Sequence, residues 1–348
     1  MPETDTRALK AAAGLYHTYF TGLILTLVSR RGAPAAAEWV FRLFRHQHHE
    51  KFLSSFDKLG LTGMPDAVAC AAFHYLANRI GGVDVEFMRE SERKAWINFV
   101  PPRWIYPGAS ICAVPSEVSR AFLRGWYAHN GVSLGNPRLG FVCTAQTTDG
   151  QHGLAGYFLE YDHDLREDER LAFRPGELPP AFDPSAAPRL PAVAWPPERL
   201  AKAERNYAME YIRSGLPRLA EIFGPAEAGY LGRVTGRLIG AQHYKATAAL
   251  LDVEAGGAEA FARFMLRLAA AEGDTAALAV QADGAVLVRR EGWRLMRGLE
   301  PLSPAIFEAW NGLFEGALAV HDRGLVLEAL ARRDFGDDAF VWRIRRPR

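Results

Sequence analysis

The sequence predicts an α+β protein built as a tandem duplication. A helix-helix-hairpin-helix-hairpin unit occurs twice, each with an antiparallel sheet and helices packed on one face. Three observations predict it. Residues 126–161 and 310–345 align without a gap at a shift of 184, which brings Trp126 onto Trp310 and Gly140 onto Gly324. A period that long marks two domains, because solenoid units run only about 20 to 50 residues. Apolar spacing also changes from helical periodicity to alternation in the same order in both halves. Finally, eight prolines crowd residues 175–197. Proline fixes its own φ, lacks an amide donor and turns the preceding residue out of the helical region, so this stretch reads as an extended connector. The resulting organisation is an N-terminal helix over 1–34, a first copy over 35–173, the connector over 174–198 and a second copy over 199–348.

In the first copy, Trp39, Val40, Leu43, Phe44, Phe52, Phe56 and Leu59 recur at helical spacing, and Gly60 stops the helix. Residues 64–79 form a second helix, opened by Pro65 and closed by Gly81 and Gly82. Alternation over 83–89 and 94–100, across the polar turn Glu90-Ser-Glu-Arg93, predicts a hairpin. A proline- and aromatic-rich loop over 101–115 leads into a helix over 116–130, and strands at 139–145 and 154–161 close the unit. The second copy repeats this with helices at 231–251 and 258–272, a hairpin at 277–281 and 285–290, a helix at 304–320 and two last strands ending at Arg345. Aligning the hairpins needs a shift near 193, so the first copy carries about nine extra residues, which lie at 101–108.

Charge excludes one class of partner. With 41 Lys+Arg against 40 Asp+Glu, the chain lacks the basic surplus of a nucleic-acid binder. Arg343, Arg345, Arg346 and Arg348 read as a solvated face of the last strand. Cys70, Cys112 and Cys143 are too few and scattered for a disulfide framework, which fits a reducing cytoplasm. The apolar stretch 14–28 is interrupted by His17 and by Thr and Gly. It falls short of the ~20 apolar residues of a membrane span and reads as a helix packed on the protein or on the partner of a homodimer.

The element order resembles the 4-vinyl-reductase-like domain and the L-2-amino-thiazoline-4-carboxylic acid hydrolase-like family. In the second copy Gly232-Arg-Val-Thr-Gly-Arg-Leu-Ile-Gly240 looks like the family's Gly-Arg-led helix, and residues 326–344 look like its last hairpin. The resemblance implies a pocket for a small organic molecule and, for the hydrolase branch, attack of water on a C–N bond of a heterocycle. It does not carry over a cysteine-held zinc, because only Cys143 stands near a corresponding place.

Three segments carry candidate chemistry. On the first helix His46, His49 and Glu50 are spaced to share a face, a set suited to proton transfer or to one side of a divalent-metal site. A solvated polar helix face is the competing reading. Two ligands on one helix need a third from elsewhere, for which His74, His129 and His163 stand by supposition alone. On the hairpin, Glu90 flanks Lys94 and Trp96, which alternation places on one side of the strand, where an ammonium and an indole could hold a flat anion. In the extra loop Arg103 could pair a carboxylate while Trp104 and Tyr106 cover a ring. Cys143, mid-strand, reads as a buried inert thiol, and no nucleotide-cradling glycine loop is present, so no nucleotide cofactor is expected. The sequence therefore points to a hydrolase that takes a small heterocyclic or aromatic acid in its first copy. His46, His49 or Glu50 would activate water and Lys94 or Arg103 would hold the anion. A non-catalytic ligand-binding or sensory module and a structural homodimer are the alternatives.

Overall fold

The computed structural model describes residues 3–103, 105, 107–299 and 301–347. It is a mixed α+β protein with antiparallel sheets. Contacts divide the chain into two compact units: a middle unit, Leu27–Leu200, and a terminal unit made of the residues up to Thr26 together with those from Ala201 on. The boundaries expected after residues 34 and 198 therefore shift, and the N-terminal segment belongs with the C-terminal half.

The first helix, α1 (Glu3–Arg31), ends where Gly32 takes a positive φ of 84°. In the middle unit α2 (Ala33–Lys51) buries Trp39, Val40, Leu43 and Phe44, and the short α3 (Phe56–Leu59) stops at Gly60. In α4 (Asp66–Ile80) every residue from Ala67 to Leu76 is buried. A hairpin follows, β1 (Val85–Arg89) and β2 (Lys94–Phe99). The helix expected over 116–130 is broken into α5 (Ser116–Gly125), a 3-10 turn and α6 (Asn130–Ser133). The break lets Tyr127 stack on His74 at 4.0 Å and Asn130 reach the same imidazole at 3.1 Å. Then come β3 (Leu139–Ala145), β4 (Leu154–Glu160) and an unexpected fifth strand, β5 (Leu171–Phe173). The sheet order is β1-β2-β4-β3-β5, with β5 parallel to β3 and the other pairs antiparallel. Phe87, Ile97, Phe99, Phe141 and Phe158 face the helices and join the main core with Phe73, Leu76 and Leu123. Met88, Trp96, Val142 and Tyr157 belong to a separate, smaller cluster. Alternation along each strand puts this second set on the opposite face.

No helix or strand lies between Phe173 and Pro197. The proline-rich segment does not leave the middle unit: Ala187, Leu190 and Trp195 pack on its core, and the Trp195 indole donates to the Lys58 carbonyl at 3.2 Å.

The terminal unit opens with a helix that sequence periodicity missed, α7 (Pro197–Phe223), followed by α8 (Pro225–Leu250) and α9 (Ala258–Glu272). The remaining elements are β6 (Thr275–Val280), β7 (Val286–Glu291), α10 (Pro304–His321), β8 (Val326–Ala331) and β9 (Phe340–Arg345). Their sheet order, β6-β7-β9-β8, repeats the order β1-β2-β4-β3 of the middle unit. A bulge between Cys143 and Ala145 of β3 recurs between Ala329 and Ala331 of β8, a shift of 186 where the sequence alignment gave 184. Trp126 and Trp310 are accordingly not at equivalent points: Trp126 ends α5, whereas Trp310 sits fully buried inside α10. A pattern match at low identity fixes the order of elements better than their register, because aromatic and small residues recur on every buried face.

Within the terminal unit α1 is anchored by two tyrosines. Tyr16 donates to Glu272 Oε1 at 2.7 Å and Tyr19 to the Ala309 carbonyl at 2.6 Å. Residues Thr6–Arg31 are long and apolar enough to cross a membrane by length and composition, more so than the interrupted stretch suggested, and 72% of the most apolar window is buried in the protein. Arg290 lies beneath, 2% exposed, bridging Glu272 and Asp274 with its guanidinium 4.8 Å from the centre of the Trp310 ring. Burial raises the Glu272 carboxyl, and Arg290 opposes the rise.

Candidate functional site

The helix α2 divides its histidines between two sides. His46 Nε2 lies 3.5 Å from Glu50 Oε1, with both side chains about a third exposed. His49 turns the other way, its ring 5.0 Å from that of His129. The imidazole that goes inside is His48, 1% exposed. It stacks on Phe52 at 4.7 Å, meets Trp126 edge-on at 5.7 Å and His129 at 5.2 Å, and its Nε2 is 2.9 Å from Ser133 Oγ. His74 of α4, 3% exposed, is likewise enclosed, between Tyr127 and Phe158. Imidazoles from α2, from α4 and from the turn after α5 thus form one cluster, graded from the exposed His49 to the enclosed His74.

Burial sets their charge. Loss of hydration is the main reason that His48 is lowered to about 3 and His129 to about 4. Arg45 and His49 lower both further, and Arg170 adds to the effect on His129. His74 is also pushed down by burial, with His48 contributing. All three are neutral at pH 7, able to accept or pass a proton through either ring nitrogen. Arg45 is held in place by the end of α5, its Nε donating to the Gly125 carbonyl at 3.0 Å. Three buried polar atoms of the cluster make no hydrogen bond among the described residues: His48 Nδ1, the Trp126 indole nitrogen and Asn130 Oδ1. Such atoms are costly in a closed core and suit a site that takes a polar ligand or water.

No protein-family model matches the chain, and neither a curated protein nor a solved structure does.

The hairpin candidates lie elsewhere. Trp96 is on the sheet face opposite the helices. Its indole donates to Glu90 Oε2 at 2.7 Å, and Lys94 pairs with the same oxygen at 2.9 Å while sitting 4.4 Å from the centre of the Tyr157 ring. The Trp96 hydrogen bond, then Lys94, hold the Glu90 carboxyl below its usual range. These three residues satisfy one another, and the sheet separates them from His46, His49 and Glu50. Arg103 stands over Phe99 with its guanidinium 4.6 Å from the ring centre. Trp104 and Tyr106 lie outside the described residues.

Among the described residues no group of three His, Cys, Asp or Glu side chains is placed to hold a metal ion. Cys143 is buried, and desolvation pushes its thiol up to about 12. The residues that sequence reasoning passed over as site residues are His48, Trp126, Asn130, Ser133 and Arg45, and it considered His74 and His129 only as possible third metal ligands. One signal was available for His48: it falls four residues after Phe44 and four before Phe52, on the apolar side of the helix.

Proposed function

We propose that the middle unit is an enzyme that binds a small heterocyclic or aromatic acid beside the histidine cluster and hydrolyses a C–N bond in it. One observation carries the reading: the rings of His48, His49 and His129 meet within 5.0–5.9 Å, beside two guanidinium groups that act electrostatically on His129. Arg45 and Arg170 would hold the substrate's carboxylate, the role first expected of Lys94 or Arg103. A bound anion offsets the two positive charges and so raises His129 toward neutral pH, coupling occupancy to protonation. His129 or His49 accepts a proton from water as the water oxygen bonds to the ring carbon. The same proton goes to the ring nitrogen as the C–N bond opens, leaving imidazole neutral again. The family resemblance and the orphaned polar atoms support a small-molecule site. A purely ligand-binding role is the second reading, favoured by the very low pKa of His48, which leaves that ring a weak base.

The test is a panel of heterocyclic carboxylates, with 2-aminothiazoline-4-carboxylate included, assayed for ring-opened product and for binding by calorimetry. His49→Gln and His129→Gln should each lower turnover by about a hundredfold, the scale of general acid–base catalysis, with little change in melting temperature. Full activity and binding in both variants would place the site elsewhere. Unchanged binding with no turnover in any protein would favour the ligand-binding role.

A further inference from the structure

In the terminal unit β8 is an edge strand, whereas β3, at the same place in the strand order of the middle unit, is paired on both sides. In the middle unit β5 pairs in parallel with β3, matching Phe141 to Leu171, Val142 to Ala172 and Cys143 to Phe173. Every residue of β3 is buried. In the terminal unit β8 occupies the same place in the strand order, and among the described residues no strand pairs with its outer side. None of its six residues is fully buried, and Leu330 is 56% exposed. An unprotected edge offers unpaired backbone donors and acceptors to another chain.

The side chains along this edge are polarised. Two grooves of about 420 and 380 Å³ border β8 and share Glu315 and Leu327. The groove toward the start of the strand carries Arg233, Arg237 and Arg323 against Glu315 alone. The other carries Glu308, Glu315 and Asp337 against Arg332. A strand that runs parallel to β8 and complements both ends is acidic before its paired residues and basic after them.

The chain contains a segment with that order of charges in part. β5 is preceded by Glu167, Asp168 and Glu169, flanked by Arg166 and Arg170, and followed by Arg174. Moreover, Arg45 of α2 feels the Glu167 carboxylate, which opposes the lowering of its pKa by burial. The helix contacts relate α2 to α8. A Cβ on Gly125 would meet the Phe41 carbonyl and the Arg45 amide; one on Gly312 would meet the Arg233 carbonyl, and one on Gly316 the Arg237 carbonyl. Arg233 and Arg237 thus lie at the same kind of helix crossing as Phe41 and Arg45. Arg237 is 56% exposed, and it pairs with Glu315 at 3.9 Å.

We propose that β8 is a docking edge for an extended segment of a partner protein that adds a parallel strand to the sheet. The segment carries an acidic residue about four positions before its first paired residue and a basic residue after its last. Strand addition of this kind takes its affinity from main-chain pairing and its specificity from side chains. Arg237, in the basic groove at the start of β8, reads the acidic residue.

The experiment uses the full chain and a fluorescent synthetic peptide with the sequence of residues 165–175. Anisotropy should show saturable binding. Arg237→Glu should weaken it about fivefold, the scale of one exposed ion pair, and a peptide with Arg at the Glu167 position should recover the loss. Circular dichroism of the variant checks its fold. Absence of binding at millimolar peptide, or binding indifferent to Arg237→Glu, would overturn the proposal, since the peptide would then be sitting elsewhere. A concentration-dependent dimer abolished by Arg237→Glu, without peptide binding, would also overturn it and assign the edge to a second copy of this chain.

Discussion

Between α2 and α5 of the middle unit stand imidazoles and an indole; between α8 and α10 of the terminal unit stand glycines. Both helix pairs lie on sheets of the same strand order. In the terminal unit a Cβ at Gly232, Gly236, Gly240, Gly312 or Gly316 would run into the facing helix, four of the five into its backbone. In the middle unit only Gly125 makes such an approach, while His48 and Trp126 fill the space beyond it. Close glycine packing leaves no volume for a site, whereas the wider filling carries titratable groups and unpaired polar atoms. The same architecture thus serves as a scaffold in one place and as a candidate site in the other.

The comparison breaks most visibly at the glycine contact. Gly240→Val should cost several kcal/mol, because its side chain would fall on the Leu313 carbonyl and the helices could relieve it only by separating. Tolerance of this change in chemical denaturation would mean that the helices are not held as described. Arg290→Ala should cost about 3–5 kcal/mol, since it leaves Glu272 and Asp274 buried without their counter-charge. Arg290→Met together with Glu272→Gln should recover part of that loss.

A smaller effect should appear with pH. His48 and His129 have folded pKa values below the unfolded value of about 6.5. The unfolded chain therefore binds more protons as pH falls below 6.5, and stability is lost progressively down to about pH 4 and, for His48, about pH 3. The melting temperature should fall between pH 7 and pH 5, less steeply in His129→Gln. A flat profile would show that these rings are not neutral in the folded state. The smallest effect is expected at the opposite sheet face: Lys94→Ala should leave ligand binding unchanged, because Lys94 serves Glu90 and Tyr157 there.

How much of this was legible in the sequence follows from what periodicity records. Alternation over 83–89 and 94–100 gave the hairpin, observed as Val85–Arg89 and Lys94–Phe99, and the same alternation assigned Trp96 and Lys94 to a common side. Which side faces the helices is decided by packing, and that separated the hairpin residues from α2. His48 was hidden by the cluster of polar letters around it, although its spacing from Phe44 and Phe52 placed it inside. The three-residue β5 was too short to alternate, and α7 was passed over because its apolar residues are spread among Arg, Glu and Ala. The 184-residue alignment found the repeated order but missed the register by two residues, which only the bulges reveal.

The most direct test of the histidine cluster as the site is NMR of ¹⁵N-labelled imidazoles during titration with 2-aminothiazoline-4-carboxylate. The signals of His49 and His129 should move with saturation, and the pKa of His129 should rise from about 4 as the carboxylate offsets Arg45 and Arg170. His321, which bonds Tyr244 and the Gly257 carbonyl within the terminal unit, serves as the internal control and should not move. Saturable binding that leaves both cluster signals and the His129 titration unchanged would contradict the assignment.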